Sequence, residues 1–535
     1  MRLLNNQHRF HVLRAGRLLP IMAACILIPA SGQPAEAQSP RAKITILPES
    51  TVVRVEGICV PNRIWSFRKS YANAMDLGNR IAKLTLADAE GKDVPVRKLA
   101  PGEFESEMAA SRFRYEVNLA PPQRAGDAAF VSWLGTNQGL LMLGDLLPAF
   151  SDSPVFLKNG SRDSMRVVKP MESRITVGFS LPENWTALSV ERRTSQGEFE
   201  ISDLGRAVFA VGRGLRISTK QIGVMSFSLI DGGDWPFNDR EALDLAEKIL
   251  RAHEEIFGAM PSDRAELIMM PFPVTVTPEK WSAETRGSTV TLLLGRQPSK
   301  AAAMAQLSVP LAHELFHLWV PNGLALEGDY AWFYEGFTIY EAARVAVRLQ
   351  LLTFQDFLNG IGRAYDAYRA GPQSERSLVE ASELRWTNGE TVVYQKAMLI
   401  AFLYDLRLRL QTHSKHSLDN VYRALFAGHH SNDRPNDPKQ EDRSRDGSLA
   451  ALGILNEASG MQSFAQSFIE RPVVLNLEAE LAPFGLTVER FGSRTRVSVT
   501  NQPNRRQRDL LHELGYNDEA RSSERKRSFK NQVRR

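Results

Sequence analysis

The sequence contains only two cysteines, Cys25 and Cys59, among its 535 residues. A chain of this length has room for two or three domains with full hydrophobic cores. Since Cys25 lies in a predicted leader, Cys59 would remain as a single thiol, which cannot form an internal disulfide. The fold therefore does not depend on disulfides, and we interpret Cys59 as a small core residue and not as a nucleophile.

The sequence also lacks an apolar run long enough to cross a bilayer. The most apolar stretch, Leu18 to Ala30, falls short of the about 20 residues that a spanning helix needs. Four arginines precede it and a small-x-small site follows it, which predicts a signal peptide over residues 1–37, cleaved near Ala37-Gln38. Lipid anchoring at Cys25 is disfavoured because the apolar core continues past it. We expect a secreted or periplasmic protein.

The body of the chain has no excess of positive charge, although the formal net charge is +5. Residues 521–535 hold seven basic residues and one acid, and residues 1–37 hold four arginines and one acid, which leaves about −4 for residues 38–520. This balance excludes nucleic acid as the expected partner. Residues 521–535 read as a basic disordered tail, with weak contact to an anionic surface as its one expected interaction.

What the sequence does contain is a histidine pair. His313 and His317 lie four residues apart, and Glu314 follows the first. On a helix with ~3.6 residues per turn the two histidines share one face, so both imidazoles can reach one metal ion. Glu314 then lies at the edge of that face, where it can bind a water on the metal instead of the metal itself. Residues 313–317 therefore predict the centre of a zinc hydrolase.

The helix that carries this motif is apolar on nearly every side from Val309 to Trp319, which indicates a buried helix. Ser308 is expected to cap it, Pro310 suits its first turn, and a turn at residues 321–323 ends it. A buried histidine or carboxylate costs several kcal/mol unless it is paired or binds a metal. The alternative, a solvated helix face that matches the motif by chance, therefore fits poorly.

A catalytic zinc site needs a third protein ligand and an open fourth position. Glu335 follows His317 by eighteen residues and is an acid in an otherwise apolar, core-facing stripe. The rivals Glu327 and Asp329 belong to a turn region and have the setting of ordinary loop acids. The predicted metal site thus consists of His313, His317 and Glu335, with one Zn²⁺ per chain.

Two segments carry a resemblance to a known family. They read His-Glu-Leu-Phe-His-Leu-Trp at residues 313–319 and Trp-Phe-Tyr-Glu-Gly-Phe-Thr at residues 332–338. The chain resembles the gluzincin metallopeptidases, most closely the glycyl aminopeptidases, whose members often carry a PDZ domain. The resemblance covers roughly residues 180–490. It implies a thermolysin-like zinc peptidase domain that acts on peptide or protein substrates.

Two further residues take their predicted roles from this resemblance. Tyr394 matches the tyrosine of a Tyr-x-Lys-Gly signature, with Ala397 in place of its glycine, and its hydroxyl is implied to stabilise the oxyanion. Glu284 matches a glutamate that is implied to bind the free amino group of the substrate, but both glycines and the histidine of that segment are missing. From the residues alone, Tyr394 also reads as a core tyrosine and Glu284 as a surface acid in a polar loop.

The periodicity of the chain changes once. Short alternating runs broken by proline and glycine predict a β-sandwich-like domain over residues 43–230. Helical periodicity then predicts a mainly α catalytic domain over residues 231–475. Residues 476–520 form a C-terminal segment that is too short for a complete PDZ domain, with a terminal helix over residues 506–515.

Two classes of function follow from these observations. The leading hypothesis is a zinc aminopeptidase with Glu314 as the general base, and an endopeptidase is its nearest alternative. The other class is a metal-stabilised binding or scaffold protein without turnover, which the eroded segment around Glu284 and the alanine at position 397 favour. The presence of Glu314 argues against a scaffold, because a structural zinc site has no need of that carboxylate.

Overall fold

The computed structural model of the chain describes residues 40–47, 50–150, 174–371, 375–431, 445–458 and 460–517. The predicted signal peptide at residues 1–37, which includes Cys25, and the predicted tail at residues 521–535 lie outside these ranges. The described part is rich in sheet at its N-terminal end and helical towards its C-terminal end, in agreement with the sequence.

Fourteen strands and one short α-helix lie between residues 41 and 212 of the described chain. They are β1 (Arg41–Ile46), β2 (Val52–Ser66), β3 (Ile81–Ala87), β4 (Asp93–Val94), β5 (Val96–Ala100), β6 (Glu103–Asn118), β7 (Trp133–Leu134), β8 (Gln138–Met142), α1 (Leu143–Leu146), β9 (Ala149–Phe150), β10 (Ile175–Ser180), β11 (Thr186–Leu188), β12 (Arg192–Arg193), β13 (Phe199–Ile201) and β14 (Val208–Gly212). A large sheet has the order β12-β13-β10-β1-β2-β6-β3-β4, with β5 on β6 and β9 on β2. A second sheet has the order β11-β14-β8-β7.

The second sheet is the middle layer of the sheet-rich part. Ile44 and Tyr115 of the large sheet share one hydrophobic cluster with Phe209 of the second sheet. Leu140 and Ala210 point to the other face of the second sheet and pack against a third sheet. This follows from the period of two in a strand, because successive side chains lie on opposite faces.

The third sheet carries one side of the candidate site. Its strands have the order β15-β16-β17-β19-β18, with the bounds β15 (Arg216–Ile222), β16 (Met225–Asp231), β17 (Arg264–Pro271), β18 (Trp281–Arg286) and β19 (Thr289–Leu294). β16, β17 and β19 are parallel, and helix α2 (Asp239–Phe257) connects β16 to β17. Asn238 caps α2, and Gly258 ends it with φ 86°, a left-handed conformation that glycine adopts without strain. β18 is an edge strand.

This sheet extends across residue 230, where the sequence places the end of the first domain. β15 precedes the predicted bound and β16 crosses it, yet both belong to the same sheet as β17, β18 and β19, which follow it. The domain bounds at residues 43–230, 231–475 and 476–520 stay predictions.

Helices dominate the described chain after residue 300. They are α3 (Lys300–Phe316), α4 (Thr338–Arg348), α5 (Phe354–Ala370), α6 (Leu378–Glu383), α7 (Ala397–Thr412), α8 (Leu418–His429), α9 (Gly447–Glu457), α10 (Gln462–Ala465), α11 (Leu477–Leu481) and α12 (Arg505–Glu513). Wider π-helical turns occur at Trp332–Phe337, Arg385–Gly389, Val392–Lys396 and Gln466–Glu470. A hairpin of β20 (Leu486–Phe491) and β21 (Arg494–Val499) precedes α12, which corresponds to the predicted terminal helix. Across the described ranges, no helix has both the length and the apolar character that a membrane span requires.

Helix α3 begins earlier than the sequence predicts. Its cap is Ser299, whose hydroxyl accepts a backbone hydrogen bond, and Pro310 lies inside the helix instead of in its first turn. The predicted cap Ser308 is therefore wrong; its hydroxyl donates to the Met304 carbonyl at 2.7 Å. The alanine-rich start of α3 favours helix strongly enough to carry it through the proline.

Cys59 lies on β2 and is buried in the core of the sheet-rich part, with 7% of its surface exposed. Its Sγ is 3.6 Å from the Ser111 carbonyl oxygen. Burial raises the pKa of the thiol to about 12, so it stays protonated and unreactive near neutral pH. This confirms that Cys59 is a core residue.

Candidate active site

Three side chains that could hold a metal ion converge at the end of helix α3. His313 and His317 lie four residues apart there, and their Nε2 atoms are 3.0 Å from each other. Glu335, on the π-helical turn Trp332–Phe337, places its Oε2 3.5 Å from His313 Nε2 and 3.6 Å from His317 Nε2. All three side chains are largely buried. The structure thus brings together the three residues that the sequence predicts as metal ligands.

The spacing of these atoms fits a zinc ion. Ligands about 2.1 Å from a tetrahedral centre lie about 3.4 Å from one another. The observed separations are 3.0, 3.5 and 3.6 Å. Two imidazole nitrogens and one carboxylate oxygen are also donors that zinc accepts. Residues 313, 317 and 335 can therefore hold one zinc ion and leave a fourth position for water or substrate.

The backbone after α3 orients the second histidine. His317 Nδ1 lies 2.9 Å from the Val320 carbonyl oxygen, so Nδ1 donates and Nε2 faces the cluster, where loss of its proton would present a lone pair to a metal ion. Asn322 holds the same turn, because its side-chain amide donates to the His317 carbonyl at 3.0 Å. Burial disfavours the charged form of His317, but the carboxylate of Glu335 outweighs this and raises the pKa of His317 to about 9. The site thus stabilises positive charge.

Glu335 is held in its ionised form. Burial alone would raise its pKa, but the positive charges of Arg385 and His317 hold it well below its ordinary value. Arg385 Nη2 donates to Glu335 Oε1 at 2.8 Å, whereas Oε2 faces the histidines. The rival acids Glu327 and Asp329 are exposed and do not belong to the cluster.

Glu314 lies beside the cluster without belonging to it. Only 5% of its surface is exposed. Thr285, on the edge strand β18, donates from its hydroxyl to Glu314 Oε2 at 2.7 Å and so fixes the orientation of the carboxylate. Both residues line the same cavity as the two histidines. This is a suitable position for a general base.

Tyr394 lies on the π-helical turn Val392–Lys396, next to the turn that carries Glu335. Its hydroxyl accepts a hydrogen bond from Arg385. Burial and the negative charge of Glu335 raise the pKa of Tyr394 well above its ordinary value. The hydroxyl therefore keeps its proton and can donate it in a hydrogen bond to a developing oxyanion.

The close contact between these two turns depends on a glycine. A side chain at Gly336 would collide with Ala397 Cβ and with the Val393 carbonyl oxygen. Ala397 occupies the position at which the resembled signature has its glycine, and Gly336 provides the space for the extra methyl group. The substitution in the signature is thus accommodated without separating Glu335 from Tyr394.

Glu284 lies on β18, so the interpretation of this residue as an acid in a polar loop is wrong. Its Oε1 accepts a hydrogen bond from the Tyr71 hydroxyl at 2.6 Å, and Arg286 Nε is 3.7 Å from the same oxygen. The guanidinium of Arg286 stacks on the Tyr71 ring, 4.0 Å from its centroid. Burial raises the pKa of Glu284, and the charge of Arg286 opposes that rise.

One cavity of about 440 Å³ joins these side chains. Its lining includes all the residues to which the sequence assigns a role, namely Glu284, His313, Glu314, His317, Glu335 and Tyr394. Two half-exposed tryptophans, Trp281 and Trp386, also line it. The cavity therefore combines the three candidate metal ligands with the carboxylate of Glu314, the hydroxyl of Tyr394 and a second acid, Glu284.

Sequence reasoning missed Tyr71, Thr285 and Arg385. Tyr71 is 213 residues from its partner Glu284, and Arg385 is 50 residues from Glu335. A single sequence gives no signal for contacts at such separations. Thr285 gives no such signal either, because its partner Glu314 is 29 residues away.

Comparisons with known proteins agree on the fold. No protein-family model matches the chain. An aminopeptidase N family protein from Idiomarina loihiensis has a similar structure, with a TM-score of 0.67 and 17% sequence identity, over 84% of this chain and 79% of that chain. An M1 zinc metallopeptidase from Deinococcus radiodurans gives a TM-score of 0.51 at 15% identity, over 82% of this chain and 94% of that one. The chain therefore has the fold of these proteins.

Curated sequences give a weaker and shorter match. Endoplasmic reticulum aminopeptidase 1 of Homo sapiens is 26% identical over 201 residues, which are 37% of this chain and 20% of that protein. The protein of the same name from Rattus norvegicus is 25% identical over 194 residues. The chain thus matches about a fifth of the length of these relatives.

Proposed function

We propose that the chain is a zinc-dependent aminopeptidase that removes amino-terminal residues from peptides. The observation that supports this most is the shared cavity, which places the predicted metal ligands beside Glu314 and Tyr394. A purely structural zinc site closes its fourth position with a fourth protein ligand and needs no base beside it. The similarity to M1 zinc metallopeptidases supports the same activity.

When bound to His313, His317 and Glu335, zinc supplies Lewis acidity that acidifies water and polarises the substrate carbonyl. Glu314 accepts a proton from the attacking water and returns it to the leaving amine. The hydrogen bond from Thr285 keeps the Glu314 carboxylate in one orientation for both transfers. Protonated Tyr394 donates a hydrogen bond to the oxyanion that develops on the carbonyl.

In this proposal Glu284 determines which end of the peptide enters the site, because its carboxylate binds the free amino group. Its carboxylate lines the cavity across from α3, on the edge strand β18. An edge strand can pair with an extended peptide backbone, which in this proposal brings the amino end of the peptide to Glu284. The finer resemblance to the glycyl aminopeptidases and to a thermolysin-like domain rests on the motifs at residues 313–319 and 332–338.

An endopeptidase is the second candidate, and the surroundings of Glu284 favour it. Tyr71 already donates to Glu284 Oε1, and Arg286 lies close to the same oxygen. Part of the negative charge that would attract an ammonium group is therefore compensated by protein. If this compensation dominates, peptides with blocked amino ends are cut as well as free ones.

Hydrolysis by the purified protein tests the proposal. We expect cleavage of amino-acid amides and of peptides with free amino ends, loss of cleavage with a zinc chelator, and recovery on adding zinc.

Glu314→Gln should keep its zinc and its fold while kcat falls by at least ~10²-fold, the scale of general acid–base catalysis. Internally quenched peptides with blocked ends separate the endopeptidase, which cuts them, from the aminopeptidase, which does not. A protein that cuts nothing, with Glu314→Gln indistinguishable from it, would be a scaffold.

We also propose that the protein is secreted or periplasmic and acts there on peptides or proteins. The support is the leader pattern of residues 1–37, and mass spectrometry of the amino terminus should find Gln38 as the first residue of the mature protein. A diacylated Cys25 would instead place the protein on a membrane surface. Binding to anionic vesicles with and without residues 521–535 would test the proposed weak contact of the basic tail.

A further inference from the structure

Arg385 bonds two functional groups of the site at once. Its Nη2 donates to Glu335 Oε1 at 2.8 Å and also to the hydroxyl of Tyr394. Glu335 Oε2 faces His313 and His317, so the two oxygens of this carboxylate have different partners. One guanidinium nitrogen thus connects a metal ligand to the predicted oxyanion donor.

The chemistry of the guanidinium fixes the direction of the second bond. Arginine has five N–H donors and no acceptor. The Tyr394 oxygen must therefore accept from Arg385, which leaves the hydroxyl proton of Tyr394 for another acceptor. Because Tyr394 lines the cavity, a substrate oxyanion there can receive that proton in a hydrogen bond.

Arg385 is itself held in place on several sides. Nη1 donates to the Tyr334 hydroxyl at 3.0 Å. The guanidinium carbon lies 4.2 Å from the ring centroid of Trp386, within the range of a cation–π contact. Only 11% of the side chain is exposed. A side chain with so little freedom can determine where its hydrogen-bond partners lie.

We propose that Arg385 is a positioning residue that sets Tyr394 and Glu335 relative to each other. If Arg385 only stabilised the fold through an ion pair, its contact with Glu335 would be enough, and a hydrogen bond to Tyr394 would not be required. In this arrangement Arg385 does not touch the reacting atoms. It acts on the rate through the Tyr394 hydroxyl and on metal affinity through Glu335. The proposal rests on the proposed peptidase function.

A double-mutant cycle tests the effect on the rate. We expect Arg385→Gln to lower kcat by ~10–10²-fold with little change in KM, because the lost interaction matters in the transition state. Tyr394→Phe should lower kcat by ~10²-fold or more. With zinc at a saturating concentration, the double variant should lose no more kcat than Tyr394→Phe does, because Arg385 acts on the rate through the hydroxyl that is already gone. Losses that multiply in the double variant would overturn the proposal, and so would an effect on KM alone, which would mark a substrate anchor.

Zinc affinity gives a second readout that does not depend on turnover. We expect Arg385→Gln to bind zinc ~10–100-fold more weakly than the unmodified protein in chelator competition, the usual cost of losing a partner of a metal ligand. Arg376→Gln is the matched control, since Arg376 bonds Asn388 and pairs with Glu380 outside the cavity. Equal zinc affinity of the two variants would overturn the role at Glu335. If the unmodified protein cuts no substrate, the peptidase function fails while this measurement still decides the role of Arg385 at Glu335.

A conservative variant covers the case in which Arg385→Gln does not fold. Arg385→Lys keeps a positive charge for Glu335 and a donor for Tyr394. We expect it to keep most of the zinc affinity but to leave kcat several-fold below that of Arg376→Gln, because an ammonium group lacks the planar fork with which Arg385 bonds Tyr334, Tyr394 and Glu335 together. A folded Arg385→Lys protein with wild-type zinc affinity and no kcat defect relative to Arg376→Gln would mean that charge alone suffices, which overturns positioning by the planar fork.

Discussion

Thr285 Oγ1 lies 2.7 Å from Glu314 Oε2 and 3.0 Å from the Glu314 backbone carbonyl oxygen. This contact joins the edge strand β18 to helix α3 at the residue that is proposed to move protons. Thr285 is also adjacent in sequence to Glu284, and both residues line the same cavity. One strand therefore supports both the base and the proposed amine site.

Thr285→Val should impair the base without affecting the metal. Valine has nearly the shape of threonine but no hydroxyl, so the Glu314 carboxylate loses the hydrogen bond that orients it. We expect kcat to fall by ~10-fold, the scale of one lost hydrogen bond to a charged group, with zinc content unchanged. Steady-state kinetics and elemental analysis measure both. Thr285→Ser keeps the hydroxyl and should stay near wild type; a Thr285→Val enzyme with full kcat would show that Glu314 needs no such support.

Replacing any one of the three predicted ligands should empty the metal site. His313→Ala, His317→Ala and Glu335→Ala should each reduce bound zinc from about one per chain to well below it, because a three-ligand site loses most of its affinity with one ligand. Asp329→Ala, which removes an exposed acid from the nearby turn, is the control and should keep its zinc. Full zinc in the Glu335→Ala protein would instead return Glu327 and Asp329 to consideration.

The sequence predicts local geometry well and distant contacts poorly. The helical repeat places His313 and His317 on one face with Glu314 at its edge, and Glu335 stands out as an acid in an apolar stripe, so the sequence could predict that these residues lie close together. Arg385 and Tyr71 could not be found in this way, because only the folded chain brings them to Glu335 and Glu284.

Helix and strand bounds show a second limit. Pro310 favours a helix start, yet α3 begins at Lys300, because the helix propensity of the preceding residues outweighs the cost of an internal proline. The segment around Glu284 has the composition of a loop but pairs with β19 as a strand. In this second case tertiary pairing overrides local preference.

Glu266 should make stability depend on pH. It is fully buried, Thr289 donates to its Oε1 at 2.9 Å, and burial raises its pKa to about 8. A carboxyl with a raised folded-state pKa contributes stability below its unfolded pKa and loses that contribution as pH rises through the folded value. We expect the unmodified protein to lose up to about 1.4 kcal/mol per pH unit from this group between about pH 5 and 8. Glu266→Gln should show a smaller loss in unfolding measurements across that range.

The control for this pH dependence is Glu279→Gln, which changes an exposed acid. Its stability profile should run parallel to that of the unmodified protein. If the stability profile of Glu266→Gln also runs parallel to that of the unmodified protein, Glu266 is already ionised in the folded protein.

Glu284 decides between the two peptidase hypotheses. If its carboxylate binds the amino end of the substrate, Glu284→Gln should lower kcat/KM for free peptides by ~10–10²-fold, the value of a charge-assisted hydrogen bond, and should leave acetylated peptides unaffected. Glu279→Gln serves again as the control, because it removes a negative charge from the loop before β18 without touching the cavity. The same comparison shows how far Arg286 neutralises the negative charge of Glu284. If Arg286 neutralises it fully, the carboxylate attracts no ammonium group. Equal kcat/KM on free and acetylated peptides in the unmodified protein would therefore rule out the aminopeptidase and leave the endopeptidase, with the same zinc, base and hydroxyl donor.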